Sequence, residues 1–260
     1  MPTDTPTPPA AAPTVPAAPA AVLWDMDGTL VDTEPHWIAA EHALMARHGA
    51  GWSHERALQL VGRALPDSGR LLAEHLAAET GVHLEPAAIV EELLAEVVRQ
   101  VSASVVWRPG ALELLGELGR RGVPCALVTM SYRSLAGTVA ALVPGAFAVV
   151  VAGDEVARGK PAPDPYLRAA ELLGVDPARC VVLEDSAPGV ASGEAAGAAV
   201  VACPHMVPIP PAPGRSRVRS LAELDADALA RVAAGQVLDT LAPDTLAPDT
   251  LAPDGPTDGA

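Results

Sequence analysis

Lysine is nearly absent from this chain: of 17 Lys and Arg residues in 260, Lys160 alone is a lysine. Where a generic positive charge was needed the sequence used Arg, so the single lysine is expected to mark a position that needs a compact ammonium rather than a planar fork, an ordinary exposed loop lysine being the plainer alternative. Aromatic residues are scarce too, with four Trp, two Tyr and one Phe, which leaves small aliphatic side chains to build the core. The three cysteines, Cys125, Cys180 and Cys203, are too few and too widely spaced for a disulfide framework or a zinc site. Each lies in or beside an apolar run and reads as a buried thiol in a reducing compartment. No run of 18 apolar residues occurs, and prolines interrupt residues 2–19 without a basic segment. The expectation is a chain that is neither secreted nor inserted in a membrane and works in the cytoplasm. Positive charge is in deficit overall, the formal net charge being −15, which discourages nucleic acid as a partner.

Half of the residues are hydrophobic, enough for a globular enzyme core at this length. The two ends differ in composition. Residues 1–20 are Pro, Ala and Thr-rich, and residues 235–260 hold TLAPD three times, at 240–244, 245–249 and 250–254. Both are expected to be disordered low-complexity tails, and no function is assigned to the repeat. Between them, short apolar runs at 21–24, 123–129, 147–151, 180–183 and 198–202 read as strands. Helical patterns at 111–121, 133–142, 164–174 and 187–196 alternate with them, Leu112, Leu115 and Leu118 marking one face of the first. This alternation predicts a parallel α/β sheet, with ligands beyond the carboxyl ends of its strands. Residues 34–104 break the rhythm, since helices are expected at 34–48, 54–60, 67–79 and 86–103 with no strand. The organisation read from the sequence is an α/β core of residues 21–33 and 105–234 with an all-α insertion at 34–104. Six of the seven histidines, His36, His42, His48, His54, His75 and His83, fall in that insertion without the spacing of a ligand pair, and are expected to be solvated helix residues.

At the end of the first apolar run, Asp25-Met-Asp27-Gly28-Thr29 sets two carboxylates two residues apart. Residues i and i+2 of a strand share a face, so the pair calls for a cation or a shared proton. A calcium loop has the wrong register, because its glycine comes sixth and follows a helix; capping of a turn is the plainer alternative. The run Ala126-Leu-Val-Thr129-Met130-Ser131 puts hydroxyls at the same sheet edge. There Thr129 can donate to a phosphate oxygen and Ser131 can cap the following helix. Arg158-Gly-Lys160-Pro161 places the single lysine in a proline-restricted loop. Val181-Val-Leu-Glu184-Asp185-Ser ends another strand in adjacent carboxylates ahead of a helix. Four acidic residues at two strand ends, one lysine and one hydroxyl compose a Mg²⁺ site facing a phosphoryl pocket. Phosphoryl transfer asks mainly for positioning and charge neutralisation, which such a set supplies.

In that order, DMDGTLVDTE, the Thr129 strand end, GKPAPDPY and VVLEDSAPGV resemble the four motifs of the haloacid dehalogenase superfamily, over about residues 21–203. The insertion resembles the C1 cap of the subgroup that includes phosphoglycolate phosphatase and β-phosphoglucomutase. The resemblance implies a Rossmann-like parallel-sheet core with a helical cap. It implies Asp25 as the nucleophile that forms an aspartyl-phosphate and Asp27 as the general acid and base. Thr129 and Lys160 would hold the phosphoryl oxygens, Lys160 also restraining Asp25. Mg²⁺ would bind the Asp25 carboxylate, the Asp27 backbone carbonyl and Asp185, with Glu184 as a further ligand or just behind them. Gly28 would let backbone amides approach the phosphate. Asp27 argues against a haloalkanoate dehalogenase, and the lack of a cap lysine argues against a phosphonate hydrolase. Met130 departs from the small or polar residue of many relatives. The cap is expected to hinge near residues 31–33 and 104–108 and to read the leaving group. Arg63 and Arg133 are the candidates for that reading, with Met130 and Ser131 as further substrate contacts.

The function expected from these residues is a Mg²⁺-dependent phosphatase of a small phosphomonoester, a sugar phosphate or related metabolite, acting as a monomer or weak homodimer. Its alternatives are a sugar phosphomutase, which returns the phosphoryl group to sugar instead of water, and a noncatalytic phosphometabolite-binding module.

Overall fold

The computed structural model describes residues 17–241. The disorder expected of residues 1–16 and 242–260, and the TLAPD repeats beyond Leu241, lie outside the described residues.

Six strands form one parallel sheet: β1 (Ala21–Trp24), β2 (Cys125–Val128), β3 (Val149–Val151), β4 (Cys180–Glu184), β5 (Ala199–Ala202) and β6 (Ser216–Arg217), in the order β3-β2-β1-β4-β5-β6. The centre of the sheet is apolar from end to end because helices cover both of its faces. Every residue of β1, β2 and β4 is buried, and Trp24 lies in register with Leu127 on one side and Leu183 on the other. Helices α5 (Ala111–Arg120), α6 (Arg133–Ala141), α7 (Asp164–Leu173), α8 (Ala187–Ala195) and α9 (Ala226–Ala233) belong to this layer. On α5 the buried positions are Ala111, Leu114, Leu115 and Leu118, an i, i+3, i+4, i+7 stripe. Leu112, expected inside, is instead exposed, because it lies a third of a turn away from that stripe.

Between β1 and α5 come four helices and no strand: α1 (Glu34–Arg47), α2 (His54–Leu58), α3 (Leu65–Thr80) and α4 (Pro86–Ala103). Prolines in the first turns of α1, α3 and α4 stand where a helix needs no amide donor. α4 packs against α1 and α3 within the cap and against α6 of the core. The two chain passages joining cap to core are tied to each other: Asp32 N donates to Val106 O at 2.8 Å, Arg108 N donates to Leu30 O at 3.0 Å, and Val31 bridges Trp107. The architecture is a Rossmann-like α/β core with an inserted helical cap.

Several expectations are corrected. β6 and α9 were not anticipated, since β6 is two polar residues on the sheet edge and α9 is a short helix capped by Asp225, whose side chain accepts from Ala228 N at 2.6 Å. β2, β3 and β5 are shorter than the apolar runs that suggested them, whereas β1 matches its run and β4 extends one residue further, to Glu184. Residues 235–241 do not begin a loose tail: Arg217 N donates to Leu238 O at 2.7 Å, and the Arg217 guanidinium pairs with Asp239 at 2.9 Å. At the other end, Ala20 N donates to Arg179 O at 2.8 Å, so the order begins before β1. His75, expected to be solvated, is buried in the cap with its Nε2 2.6 Å from Gly51 O.

Candidate active site

The acidic and basic residues singled out above converge at the carboxyl ends of β1, β2 and β4. Asp25 follows β1 and continues the ladder through its amide, which donates to Leu183 O at 3.0 Å. Its Oδ1 accepts from Lys160 Nζ at 2.6 Å. The same ammonium donates to Glu184 Oε1 at 2.6 Å and to Val128 O at 3.0 Å, so all three of its protons are engaged. Burial works against the Lys160 charge, but Asp25 and Glu184 outweigh it and hold the ammonium above the ordinary lysine range. A guanidinium would not fit this compact three-way contact, which accounts for the one lysine in an Arg-rich chain.

One ammonium does not neutralise three carboxylates. Asp25, Glu184 and Asp185 each offer an oxygen within 4.8 Å of the others, all buried. Burial pushes the Asp25 and Asp185 carboxyls upward, with their acidic neighbours adding to it and Lys160 opposing it. Asp25 Oδ2 and Asp185 Oδ2 are buried without any hydrogen-bond partner. Orphaned anionic oxygens of this kind are costly unless a cation meets them, and hard oxygen donors suit a small divalent ion. The pocket at Gly28 is held open by the absence of a side chain: φ is +85°, and a Cβ there would overlap the Asp185 carboxylate.

Glu184 has a different standing. Its Oε1 accepts from Lys160 and from Tyr166 OH at 2.7 Å, while its Oε2 accepts from Asp185 N, Ser186 N and Ser186 Oγ at 3.1, 3.2 and 3.0 Å. With both oxygens saturated it anchors Lys160 and the β4–α8 turn, and leaves the free oxygens to Asp25 and Asp185. Tyr166 was not singled out in the sequence, although it closes the GKPAPDPY segment.

Asp27 points elsewhere, into a ring of donors. Thr33 Oγ1 and Trp37 Nε1 reach its Oδ1 at 2.5 and 3.5 Å, and Thr129 Oγ1 and Ser131 Oγ reach its Oδ2 at 2.8 and 2.9 Å. Thr129, expected to donate to a phosphoryl oxygen, donates here to Asp27, and its Oγ1 accepts from Ser131 N at 2.9 Å. Thr33 and Trp37 were missed because nothing in the linear sequence shows that the start of the cap folds back onto the DxD turn.

Cap and core enclose a cavity above these groups, lined from the core by Asp25, Asp27, Met130, Ser131, Lys160 and Asp185. Met130 is buried and its Sδ accepts from Lys160 N at 3.1 Å. Arg63 stands at the cavity wall, exposed, its Nε donating to Gln59 O at 2.6 Å. Arg133 is not brought to the site. Its guanidinium pairs with Glu155 and donates to Val150 O at 2.8 Å, which occupies it away from the cavity.

Sheet, cap and buried acidic cluster together define a capped α/β hydrolase. The chain belongs to the haloacid dehalogenase-like hydrolase family, whose sequence profile matches residues 19–197. It is 35% identical over 191 residues to the bifunctional riboflavin kinase/FMN phosphatase of Arabidopsis thaliana, a match covering 71% of this chain and 48% of that protein, about half its length. It is 35% identical over 183 residues to hexitol phosphatase A of Escherichia coli K12, covering 69% of this chain and 81% of that protein. The crystal structure of CbbY from Rhodobacter sphaeroides in complex with phosphate superposes with a TM-score of 0.65 at 27% identity, over 79% of this chain and 96% of that one.

Proposed function

We propose that the protein is a phosphatase that hydrolyses a small phosphomonoester through a covalent intermediate on Asp25. The observation that carries the reading is the division of labour on that carboxylate: Oδ1 is held by Lys160, while Oδ2 is buried, unpartnered and set beside the cavity. A carboxylate fixed on one oxygen and free on the other is oriented for attack on phosphorus. The Oδ2–P bond forms as the bond from phosphorus to the leaving oxygen breaks. That oxygen takes a proton from Asp27, whose carboxylate stands two residues on and is aimed by Thr33, Thr129 and Ser131. Water then gives its proton back to Asp27 and its oxygen to phosphorus, releasing Asp25.

Asp25 and Asp185, with the backbone of Asp27, would hold Mg²⁺, and Glu184 would stand behind them. When bound, the ion supplies charge neutralisation for the phosphoryl oxygens. The phosphatase names of the relatives and the phosphate in the CbbY structure support a small phosphorylated metabolite as substrate. A mutase would have to hold a sugar bisphosphate, two dianions, in a cavity whose cap wall carries carboxylates, so hydrolysis is the reading retained. No helix among the described residues is long and apolar enough to cross a membrane.

Asp25→Asn should lower kcat on an aryl phosphate by about 10³-fold or more, since the covalent route is removed, and chelation should abolish wild-type turnover until Mg²⁺ is restored. Undiminished turnover by Asp25→Asn would refute the covalent route. Formation of hexose 6-phosphate from hexose 1-phosphate without release of inorganic phosphate would establish the mutase instead.

A further inference from the structure

One face of α1 forms part of the wall of the space between cap and core. Glu34, Trp37 and Glu41 occupy that face at i, i+3 and i+7, so the two carboxylates follow one another along the cavity, their Cα atoms about 10 Å apart at the helical rise. Glu34 is 6% exposed and has no side-chain hydrogen bond among the described residues. Burial pushes its carboxyl up to about 8, with Asp27, Glu41 and Asp25 adding to the shift, which places it at the phosphoryl end.

Glu41 lies beyond it. Burial pushes this carboxyl up to about 7 against the hydrogen bond from Trp52, and neither Asp25 nor Asp27 contributes. Its Oε2 accepts from Trp52 Nε1 at 2.9 Å. Trp52 is braced in turn by the His75 ring, 5.0 Å away, whose two nitrogens are fixed by Gly51 O and Arg56. A buried carboxylate with one oxygen braced and the other without a partner, in a cavity wall, is placed to meet a donor. Arg63 is the one cation that the cap gives to this cavity among the described residues. It is exposed at the wall rather than paired with either glutamate.

We propose that Glu41 determines specificity: the substrate's end remote from phosphorus carries a neutral hydroxyl donor, and a second anion at that end is rejected. This rests on the phosphomonoester reading of the same site. Where Glu41 is ionised, above about pH 7, a hydroxyl satisfies its free oxygen, whereas a carboxylate or phosphate brought against it out of water meets a like charge.

Two esters isolate the effect. Glucitol 6-phosphate and 6-phosphogluconate share a six-carbon chain and differ in a hydroxymethyl or a carboxylate at C1. At a pH about one unit or more above 7, where Glu41 is ionised, wild type should favour the alcohol by about 100-fold in kcat/KM, mostly through KM, and Glu41→Gln should narrow that ratio to about 10-fold or less by admitting the carboxylate. Calorimetric binding of the two esters to Asp25→Asn protein repeats the comparison without turnover. Equal handling of both esters by wild type, or a ratio that Glu41→Gln leaves intact, overturns the proposal. If neither ester is hydrolysed but the Asp25→Asn protein still prefers the alcohol, the phosphatase reading falls and the assignment of the cavity wall stands. Should Glu41→Gln fail to fold, the wild-type pair of esters decides alone.

Discussion

Single side chains in this site are defined by how many hydrogen bonds they have left to donate or accept. Lys160 has none, Glu184 has no free oxygen, and Asp25 and Asp185 keep one oxygen each. Gly28 protects that arrangement, so Gly28→Ala should displace Asp185 and raise the Mg²⁺ concentration needed for half-maximal activity by about 10-fold or more, the combined cost of a clash and a left-handed backbone. A metal titration of activity measures it, and an unshifted midpoint would mean that Asp185 is not a ligand. Glu41 gives a stability test. Its carboxyl lies near 4.5 when unfolded and is raised to about 7 in the fold, so the folded state binds the proton more tightly. Its contribution is therefore favourable below about pH 4.5 and is lost as pH rises through 7. Glu41→Gln keeps an acceptor for Trp52 but never ionises. In urea titrations it should gain about 1–3 kcal/mol over wild type at pH 8 and nothing at pH 4.

At the scale of elements, the apolar stripe of α5 separates what burial decides from what composition suggests. Leu115→Ala should cost about 2–5 kcal/mol, as a cavity is left in the core. Leu112→Ala, on the exposed side, should stay within about 0.5 kcal/mol. Denaturant midpoints of the two variants test this directly, and equal losses would place the helix in a different rotation. The helices and the longer strands were legible from periodicity, because packing against one layer imposes 3.6- and 2-residue repeats that the sequence records. β6 was not legible. Two polar residues at an edge have no pattern, and their place is fixed by Arg217 reaching Asp239 and Ile209 O, contacts that no periodicity records.

At the scale of the molecule, the cavity exists only because the cap lies against the core. Gly62 marks the contact: its φ is +72°, and a Cβ there would stand 2.7 Å from Ser186 Oγ. Gly62→Ala should hold the cap away from the β4–α8 turn and lower kcat/KM by about 10-fold or more, while its left-handed backbone costs about 1–2 kcal/mol of stability. Steady-state kinetics beside a melting curve decides it, and unchanged kcat/KM with that loss of stability would mean that Gly62 serves the backbone alone. Long-range packing of the core likewise sets the partners of two residues singled out in the sequence. Thr129 sits at the strand end where its hydroxyl suggested a phosphate donor, and with Asp27 and Ser131 brought around it, its hydroxyl donates to the Asp27 carboxylate. Arg133 has the charge to read a leaving group, but Glu155 lies closer and takes it.

The linear sequence by itself determined the alternating core, the helical insertion after the first strand and the placing of acids where strands end. Each of those is a local regularity, set by which neighbours a residue has two, three or four positions away. Only the tertiary structure decided the pairings: Lys160 between Asp25 and Glu184, Asp27 with Thr129, and Glu34 and Glu41 turned into a shared cavity. Those contacts span up to 135 residues, and each is settled by competition among all the donors and acceptors that chain closure brings within reach. Distance along the chain carries no record of that competition.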